Sequence, residues 1–140
     1  MPKALTLGNG SILINIDGRG QVRDLYFPMV GQENHVSQHC VHRVGVWVPG
    51  KGLRWLEDSS WSIAAECSSE ALAGNIKAVN SDLGVSLVFQ DIVYNEKNVF
   101  VRKVTVKNLS EEERVIKIFF AHQFELYEAY TAHTLSLIHI

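Results

Sequence analysis

The residues with the greatest chemical potential are concentrated in one stretch, RDLYFPMVGQENH, which runs from Arg23 to His35. A pair of carboxylates can serve as general acid and general base, and Asp24 with Glu33 is one such candidate. Glu66 with Glu70 is another. The spacing singles out neither pair, and carboxylates in turns or at sheet edges are the simpler interpretation. The sequence therefore predicts no catalytic residue.

Histidines cluster just beyond this stretch, where His35, His39 and His42 lie close to Cys40. Zinc requires ligands that converge, but His39 and Cys40 are adjacent and point to opposite faces of an extended chain. The segment LGNG also has too few glycines, and no following helix, to cradle a phosphate. No metal site and no cofactor are predicted.

Three tryptophans offer a different chemistry, because aromatic rings exposed on a sheet stack on the apolar faces of sugars. Trp47 lies in the valine-rich run HRVGVWV, which is typical of a buried strand. The candidates for sugar stacking are therefore Trp55 and Trp61. The alternative, that both rings belong to the hydrophobic core, stays open at the level of sequence.

The elements that must position these residues are predicted to be strands. SILINID and QVRDLYF flank the turn Asp17–Gly20 and form a hairpin, and HRVGVWV is followed by Pro49-Gly50 and a partner strand LRWLE. Three longer runs follow at 84–94, 98–108 and 114–127. Strands that recur at this spacing, without an amphipathic helix, predict an all-β fold, an antiparallel β-sandwich.

In the last of these runs, apolar side chains and a histidine recur at every second position. This period predicts one inward-facing row of a strand. The row consists of Ile116, Ile118, Phe120, His122 and Phe124.

Composition excludes several classes of partner. Thirteen basic and fifteen acidic side chains give a formal net charge of −2, which argues against a surface for nucleic acid or for an anionic membrane. No apolar segment approaches the roughly 18 residues of a membrane span, and the first residues do not resemble a signal peptide. We expect a cytoplasmic protein.

Three segments together resemble a known family. LGNGSILINIDGRGQVRDLYFPMVGQENHV, HRVGVWV and VFVRKVTVKNLSEEERVIKIFFAHQFELYE are similar to the amino-terminal domain of bacterial and archaeal glycoside hydrolase family 15 proteins, which are glucoamylase-like or glucodextranase-like. The resemblance runs from about Pro2 to Tyr130, and the RDLYFPMVGQENH block is its most specific part.

The resemblance implies a supersandwich-like domain in front of a catalytic (α/α)6 barrel. In that family two glutamates of the barrel hydrolyse terminal α-glucosidic bonds of an α-glucan or oligosaccharide with inversion. We therefore expect residues 1–130 to be an incomplete, inactive amino-terminal sandwich whose partner is the barrel. Residues 131–140 are expected to be an atypical tail, for which two interpretations stay open: read-through from sequencing or cloning, and a final strand of the sandwich. We expect the sequence to stop before any barrel helix begins.

Two interpretations of the loop in RDLYFPMVGQENH remain open. It can dock on the barrel through an apolar plug and hydrogen-bonding side chains, or it can be a self-contained corner set by proline and Gly31. A free-standing carbohydrate-binding module is the alternative function for the whole chain. The residues predicted for interdomain contact are Tyr26, Phe27, Pro28, Gln32, Glu33, Asn34 and His35.

Overall fold

The computed structural model describes residues 3–31, 33–36, 42–67 and 73–125, and this part of the chain forms ten β-strands and no helix. The strands are β1 (Lys3–Gly8), β2 (Leu13–Asp17), β3 (Val22–Tyr26), β4 (His42–Val48), β5 (Gly52–Trp55), β6 (Trp61–Cys67), β7 (Ala73–Asn80), β8 (Val85–Val93), β9 (Phe100–Asn108) and β10 (Lys117–His122).

The described strands form three antiparallel sheets. The N-terminal sheet has the order β1-β2-β3, the central sheet β10-β4-β5, and the long sheet β6-β7-β8-β9. The central sheet joins distant parts of the chain, since β10 pairs with β4 in a register that runs from Lys117↔Trp47 to His122↔His42.

A single core joins the three sheets. Phe89 of the long sheet, Ile14 of the N-terminal sheet and Val46 of the central sheet are each 0% exposed and belong to one cluster of buried side chains. The sheets approach closely, because a Cβ added at Gly74 would lie 2.6 Å from Cδ1 of Leu5. The fold is therefore an all-β antiparallel sandwich, as the alternating pattern predicted.

Most predicted strands are confirmed, including LRWLE as the partner of β4. Three strands were not predicted, namely β1, β6 and β7. β6 and β7 contain alanine, glycine and asparagine, which have low β-propensity, and they form here because β7 is paired on both sides. Tertiary pairing overrides the weak local preference.

The predicted turn between β2 and β3 is confirmed and is built around a buried carboxylate. Oδ1 of Asp17 accepts hydrogen bonds from the backbone N–H groups of Arg19 and Gln21, at 2.8 and 3.0 Å. Its Oδ2 accepts from Nε of Arg23 at 2.6 Å. Gly20 has a φ of +78°, a conformation that favours glycine. Asp17 is thus a structural residue of the hairpin.

The prediction for the inward row of the last strand is only partly correct. Ile118 packs against the core, but Phe120 and Phe124 are 45% and 49% exposed, and His122 is exposed as well. At that end of β10 the inner face borders an open cavity instead of a packed layer.

Some predictions fall on parts of the chain that are not described. Gln32, His39, Cys40, Glu70 and the tail at 131–140 lie outside the described residues. Among the residues that the structure describes, no helix has the length and apolar character needed to cross a bilayer.

Candidate functional site

The loop after β3 is closed by the side chain of Asn34. Its Oδ1 accepts hydrogen bonds from the backbone N–H groups of Leu25 and Val36, at 3.0 and 3.1 Å. Its Nδ2 donates to Oδ1 of Asp24 at 2.9 Å. A further β-bridge joins Tyr26 to Asn34. The loop therefore folds back on the strand from which it leaves.

This closure continues as a polar ladder across the N-terminal sheet. Oδ2 of Asp24 accepts from Nδ2 of Asn15 at 2.8 Å, and Oδ1 of Asn15 accepts from Oγ1 of Thr6, also at 2.8 Å. Both carboxylate oxygens of Asp24 are engaged by amide groups. Asp24 is thus tied into the sheet, and the geometry gives it a structural role.

His35 fastens the same loop to the segment that follows β10. Its backbone N–H donates to the carbonyl of Leu25 at 2.8 Å, and its carbonyl accepts from the N–H of Glu125 at 2.9 Å. Its ring nitrogens Nδ1 and Nε2 contact the carbonyl oxygens of Glu125 and Phe27. The loop is thereby held from both sides.

The tip of the loop is apolar and faces solvent. Phe27, Met29 and Val30 are 38%, 54% and 49% exposed. A cavity of about 500 Å³ opens beside Phe27. Its lining residues are Ile12, Leu25, Phe27, His35, Asn98 and Phe124. The loop is therefore a closed corner that also presents an apolar surface.

The remaining residues predicted for contact occupy different environments. Tyr26 and Glu33 are half-buried, and Pro28 is exposed. The backbone of Glu33 closes the turn by hydrogen bonds to Phe27 and Met29. Its buried Oε2 has no hydrogen-bond partner among the described residues. The structure brings Phe27 and His35 together at the cavity.

A second cavity, of about 290 Å³, lies between β3, β4, β9 and β10 and is lined by a histidine pair. Nδ1 of His122 is 3.0 Å from Nδ1 of His42, and Nε2 of His42 is 2.7 Å from the carbonyl oxygen of Gln123. Because a carbonyl only accepts, Nε2 of His42 carries a proton. Nδ1 of neutral His42 then accepts from the Nδ1–H of His122.

The surroundings favour the neutral form of both imidazoles. Burial lowers the pKa of His42, the hydrogen bond to the Gln123 carbonyl offsets part of this effect, and His122 and Arg102 lower it further. Burial also lowers the pKa of His122, and Arg102 adds to the effect. The pair is suited to neutral hydrogen bonding.

Arg102 lines the same cavity, but its charge is already paired. Its Nε and Nη2 donate to the two carboxylate oxygens of Asp91 at 2.7 and 2.8 Å, and Nη1 donates to the carbonyl of Gly20 at 2.8 Å. Asp91 is 0% exposed. The bidentate pair lies within the long sheet, and the bond to Gly20 links this sheet to the N-terminal hairpin. The charge of Arg102 is therefore not available to an anionic ligand.

His35 and His42, the two described members of the histidine cluster seen in the sequence, contact different partners. His35 contacts the carbonyls of Phe27 and Glu125, whereas His42 contacts His122 and Gln123. Among the described residues, no three histidine, cysteine, aspartate or glutamate side chains are grouped to hold a metal ion.

The three tryptophans lie in two environments. Trp61 is 3% exposed and packs in the core, and Trp55 is half-buried on the outer face of the central sheet. The run HRVGVWV is a largely buried strand, as predicted, but the Trp47 side chain does not lie in the core. The strand's valines are buried, but Trp47 alternates with them and lies half-buried on the outer face beside Lys117. The sequence did not reveal the outward position of Trp47, because Val46, Trp47 and Val48 form a continuous apolar run in which inward and outward positions look alike.

Comparison with curated proteins finds a distant relative that is named as a glycosyl hydrolase. The chain is 29% identical to an uncharacterized glycosyl hydrolase of Methanocaldococcus jannaschii over 123 residues, which are 87% of this chain and 19% of that protein. The chain thus spans about a fifth of the length of this curated relative. No protein-family model and no solved structure match. The chain is therefore related, at this distance, to a glycosyl hydrolase.

Proposed function

We propose that this chain is the non-catalytic amino-terminal β-sandwich of a glucoamylase-like glycoside hydrolase of family 15. The observation that carries the proposal is the relationship to a glycosyl hydrolase over 87% of this chain but only 19% of the relative. The all-β fold and the family resemblance of the loop around Phe27 support the same assignment.

The catalytic glutamates of this proposal lie in an (α/α)6 barrel elsewhere in the full-length enzyme. An inverting pair stands roughly 6.5–9.5 Å apart, with the attacking water between the two carboxylates. Asp17, Asp24 and Asp91 are engaged in hydrogen bonds that hold the sandwich together. In this proposal the sandwich supports the barrel and takes no part in the chemistry.

The docking surface of the proposal is the loop tip beside the larger cavity. Asn34 and His35 fix the backbone on either side of the loop tip, which lowers the backbone entropy that is lost on association. Exposed apolar patches of this kind mark protein interfaces. The occupant is the barrel of the same polypeptide, which packs against Phe27, Met29 and Val30.

The source DNA downstream of Tyr130 tests the assignment. We expect an in-frame extension that encodes a helix-rich barrel, and we expect the encoded enzyme to release glucose from maltooligosaccharides. The 140-residue protein alone should release none. A stop codon shortly after Tyr130 in the native gene, or glucose release by the 140-residue protein, would contradict the proposal.

Matched surface substitutions test the docking surface. Phe27 and Ile92 are each 38% exposed, and Ile92 lies on the outer face of the long sheet. In the full-length enzyme, Phe27→Ser should lower the melting temperature and Ile92→Ser should not. In the 140-residue protein the two substitutions should have similar, small effects. If the two substitutions lower the melting temperature of the full-length enzyme equally, the loop does not contact the barrel.

A second candidate function is a carbohydrate-binding module. The position of Trp55 on the outer face of a sheet favours it, because the ring is not part of the core. Of the two predicted stacking residues only Trp55 has this placement, since Trp61 is buried. Retarded migration of the protein in gels that contain soluble starch, together with a stop codon shortly after Tyr130 in the native gene, supports this function, and unretarded migration argues against it.

A further inference from the structure

The outer face of the central sheet carries a strip of aromatic side chains. Strand register places Phe119 of β10 and Trp55 of β5 on either side of Gly45 in β4. The next row along the strands consists of Lys117, Trp47 and Leu53. The strip runs across all three strands on the side opposite to the buried valines.

Gly45 brings Trp55 onto the sheet. A Cβ at this position would lie 2.7 and 2.9 Å from Cε3 and Cζ3 of the Trp55 ring and 3.1 Å from Cδ1 of Leu53. The benzo edge of the indole therefore fills the space that a side chain would occupy. A shallow strip results instead of a ridge.

Cationic side chains lie over the faces of both tryptophans. Cζ of Arg43 is 4.4 Å from the centroid of Trp55, and Nζ of Lys117 is 5.0 Å from that of Trp47. Such contacts at exposed sites contribute only about 0.5–1 kcal/mol. A ligand ring can therefore displace either cation from its aromatic face.

Hydrogen-bonding groups border the same strip. Nε of Arg43 donates to Oε1 of Glu57 at 2.8 Å, with the two side chains 35% and 39% exposed. Donors and acceptors thus stand beside the Trp55 ring. The presence of a carboxylate next to the guanidinium disfavours an anionic ligand and suits neutral hydroxyl groups, which both donate and accept.

We propose that this strip is a binding site for an α-glucan chain. A glucosyl ring has an apolar C–H face and a rim of hydroxyl groups, which matches an indole face beside Arg43 and Glu57. Trp47 and Trp55 stack on successive glucosyl rings, and Phe119 extends the strip. The choice of an α-linked glucan rests on the proposed function, whereas the sugar-binding chemistry rests on the strip itself.

Affinity electrophoresis of the 140-residue protein tests the site. Migration should be retarded in gels that contain soluble starch, and Trp47→Ala and Trp55→Ala should each weaken the apparent affinity by about tenfold. Ile92→Ser serves as the control variant, because Ile92 lies on the outer face of the long sheet, outside the strip, and this variant should be retarded like the wild type. Unretarded wild-type protein, or retardation that neither tryptophan variant reduces, would overturn the proposal.

A second measurement keeps the test valid if an alanine variant misfolds. Trp47→Phe and Trp55→Phe keep a ring, and titration with maltoheptaose should change the intrinsic fluorescence of the wild type. Each Phe variant should lose part of that change, while the signal of buried Trp61 remains. A fluorescence response that is unaltered in both variants excludes the strip as the binding site.

The outcomes separate this inference from the proposed function. The full-length enzyme can hydrolyse maltooligosaccharides while the 140-residue protein binds neither starch nor maltoheptaose. This result would support the proposed function and contradict the binding site on the strip. Sedimentation equilibrium tests whether the strip instead forms an interface between two copies of the chain. A dimer that dissociates in Trp55→Ala, without any effect of starch, would assign the strip to a second copy of the chain instead.

Discussion

Nδ1 of His122 lies 3.0 Å from Nδ1 of His42, at directly paired positions of β10 and β4. One neutral imidazole donates to the other, and Nε2 of His42 is bonded to the carbonyl of Gln123. Two protonated rings at this distance would have no acceptor between them and would repel each other. Arg102 also faces the pair, although Asp91 balances its charge. The pair therefore makes the junction of these strands sensitive to acid.

The first prediction is a loss of stability as pH falls through about 6.5, the ordinary pKa of histidine. The pKa of both His42 and His122 is lowered in the folded protein, so the unfolded chain takes up protons first. Their contribution to stability is thus complete above that pH and decreases as the pH falls towards the folded-state pKa values. Urea unfolding at pH values from about 5 to about 8, which extend about 1.5 units on either side of the ordinary histidine pKa, measures this loss of stability.

His122→Asn is the control for this prediction. The amide can still donate to Nδ1 of His42, but it does not titrate in this range. We expect a shallower dependence of the unfolding free energy on pH in the variant. An identical pH dependence in the wild type and His122→Asn would show that the pair does not respond to acid in this way.

The second prediction concerns the close approach at Gly45. Gly45→Ala should destabilise the protein by about 1–3 kcal/mol, because the added Cβ forces the Trp55 ring to move. Gly18→Ala is the matched control, since nothing lies within 4 Å of its added Cβ. The control should be neutral or stabilising by up to about 1 kcal/mol. Equal unfolding free energies for the two variants would contradict the contact.

The third prediction concerns Asn34. Asn34→Ala should cost about 1–3 kcal/mol, because it removes the acceptor for the N–H groups of Leu25 and Val36. Asn34→Asp keeps that acceptor but sets a carboxylate against Asp24, so it should also be destabilising. Hydrogen exchange should accelerate at Leu25 and Val36 in Asn34→Ala.

At pH values where the introduced aspartate is ionised, its carboxylate accepts hydrogen bonds from these two N–H groups. Their exchange should therefore be slower in Asn34→Asp than in Asn34→Ala. An unchanged exchange rate at Leu25 and Val36 in Asn34→Ala would rule out Asn34 as the residue that closes the loop.

The sequence predicts the fold class well because alternation reports directly on strands. In β4 the residues Val44, Val46 and Val48 are buried as the pattern indicates. Alternation does not reveal whether a second layer covers a given face. For this reason Ile118 packs as predicted, while Phe120 on the same row borders an open cavity.

The candidate sites were less predictable because they depend on register between distant strands. The β4–β5 hairpin was predicted, but its register was not, and the shared face of Trp47 and Trp55 follows from that register, in which Gly45 pairs with Trp55. The pairing of His42 with His122 joins residues that are 80 positions apart. Such relations follow from topology, which a period of two does not encode.

The last prediction concerns the buried ion pair between Arg102 and Asp91. Their side chains are 11% and 0% exposed, and the two hydrogen bonds between them are charge-assisted. Arg102→Met leaves the carboxylate of Asp91 buried without its counter-charge, and it removes the donor to the carbonyl of Gly20. We expect a loss of about 3–5 kcal/mol of unfolding free energy, measured in urea.

The double variant Arg102→Met with Asp91→Leu separates the cost of a stranded charge from the value of the pair. It removes both charges, so it should recover a large part of the stability lost in Arg102→Met, and the coupling between the two sites should be strongly non-additive. The carbonyl of Gly20 loses its donor in both variants, so that cost cancels in the comparison. If the double variant is no more stable than Arg102→Met, the loss comes from the Gly20 contact and from packing against Phe89, over which the guanidinium lies at 5.0 Å.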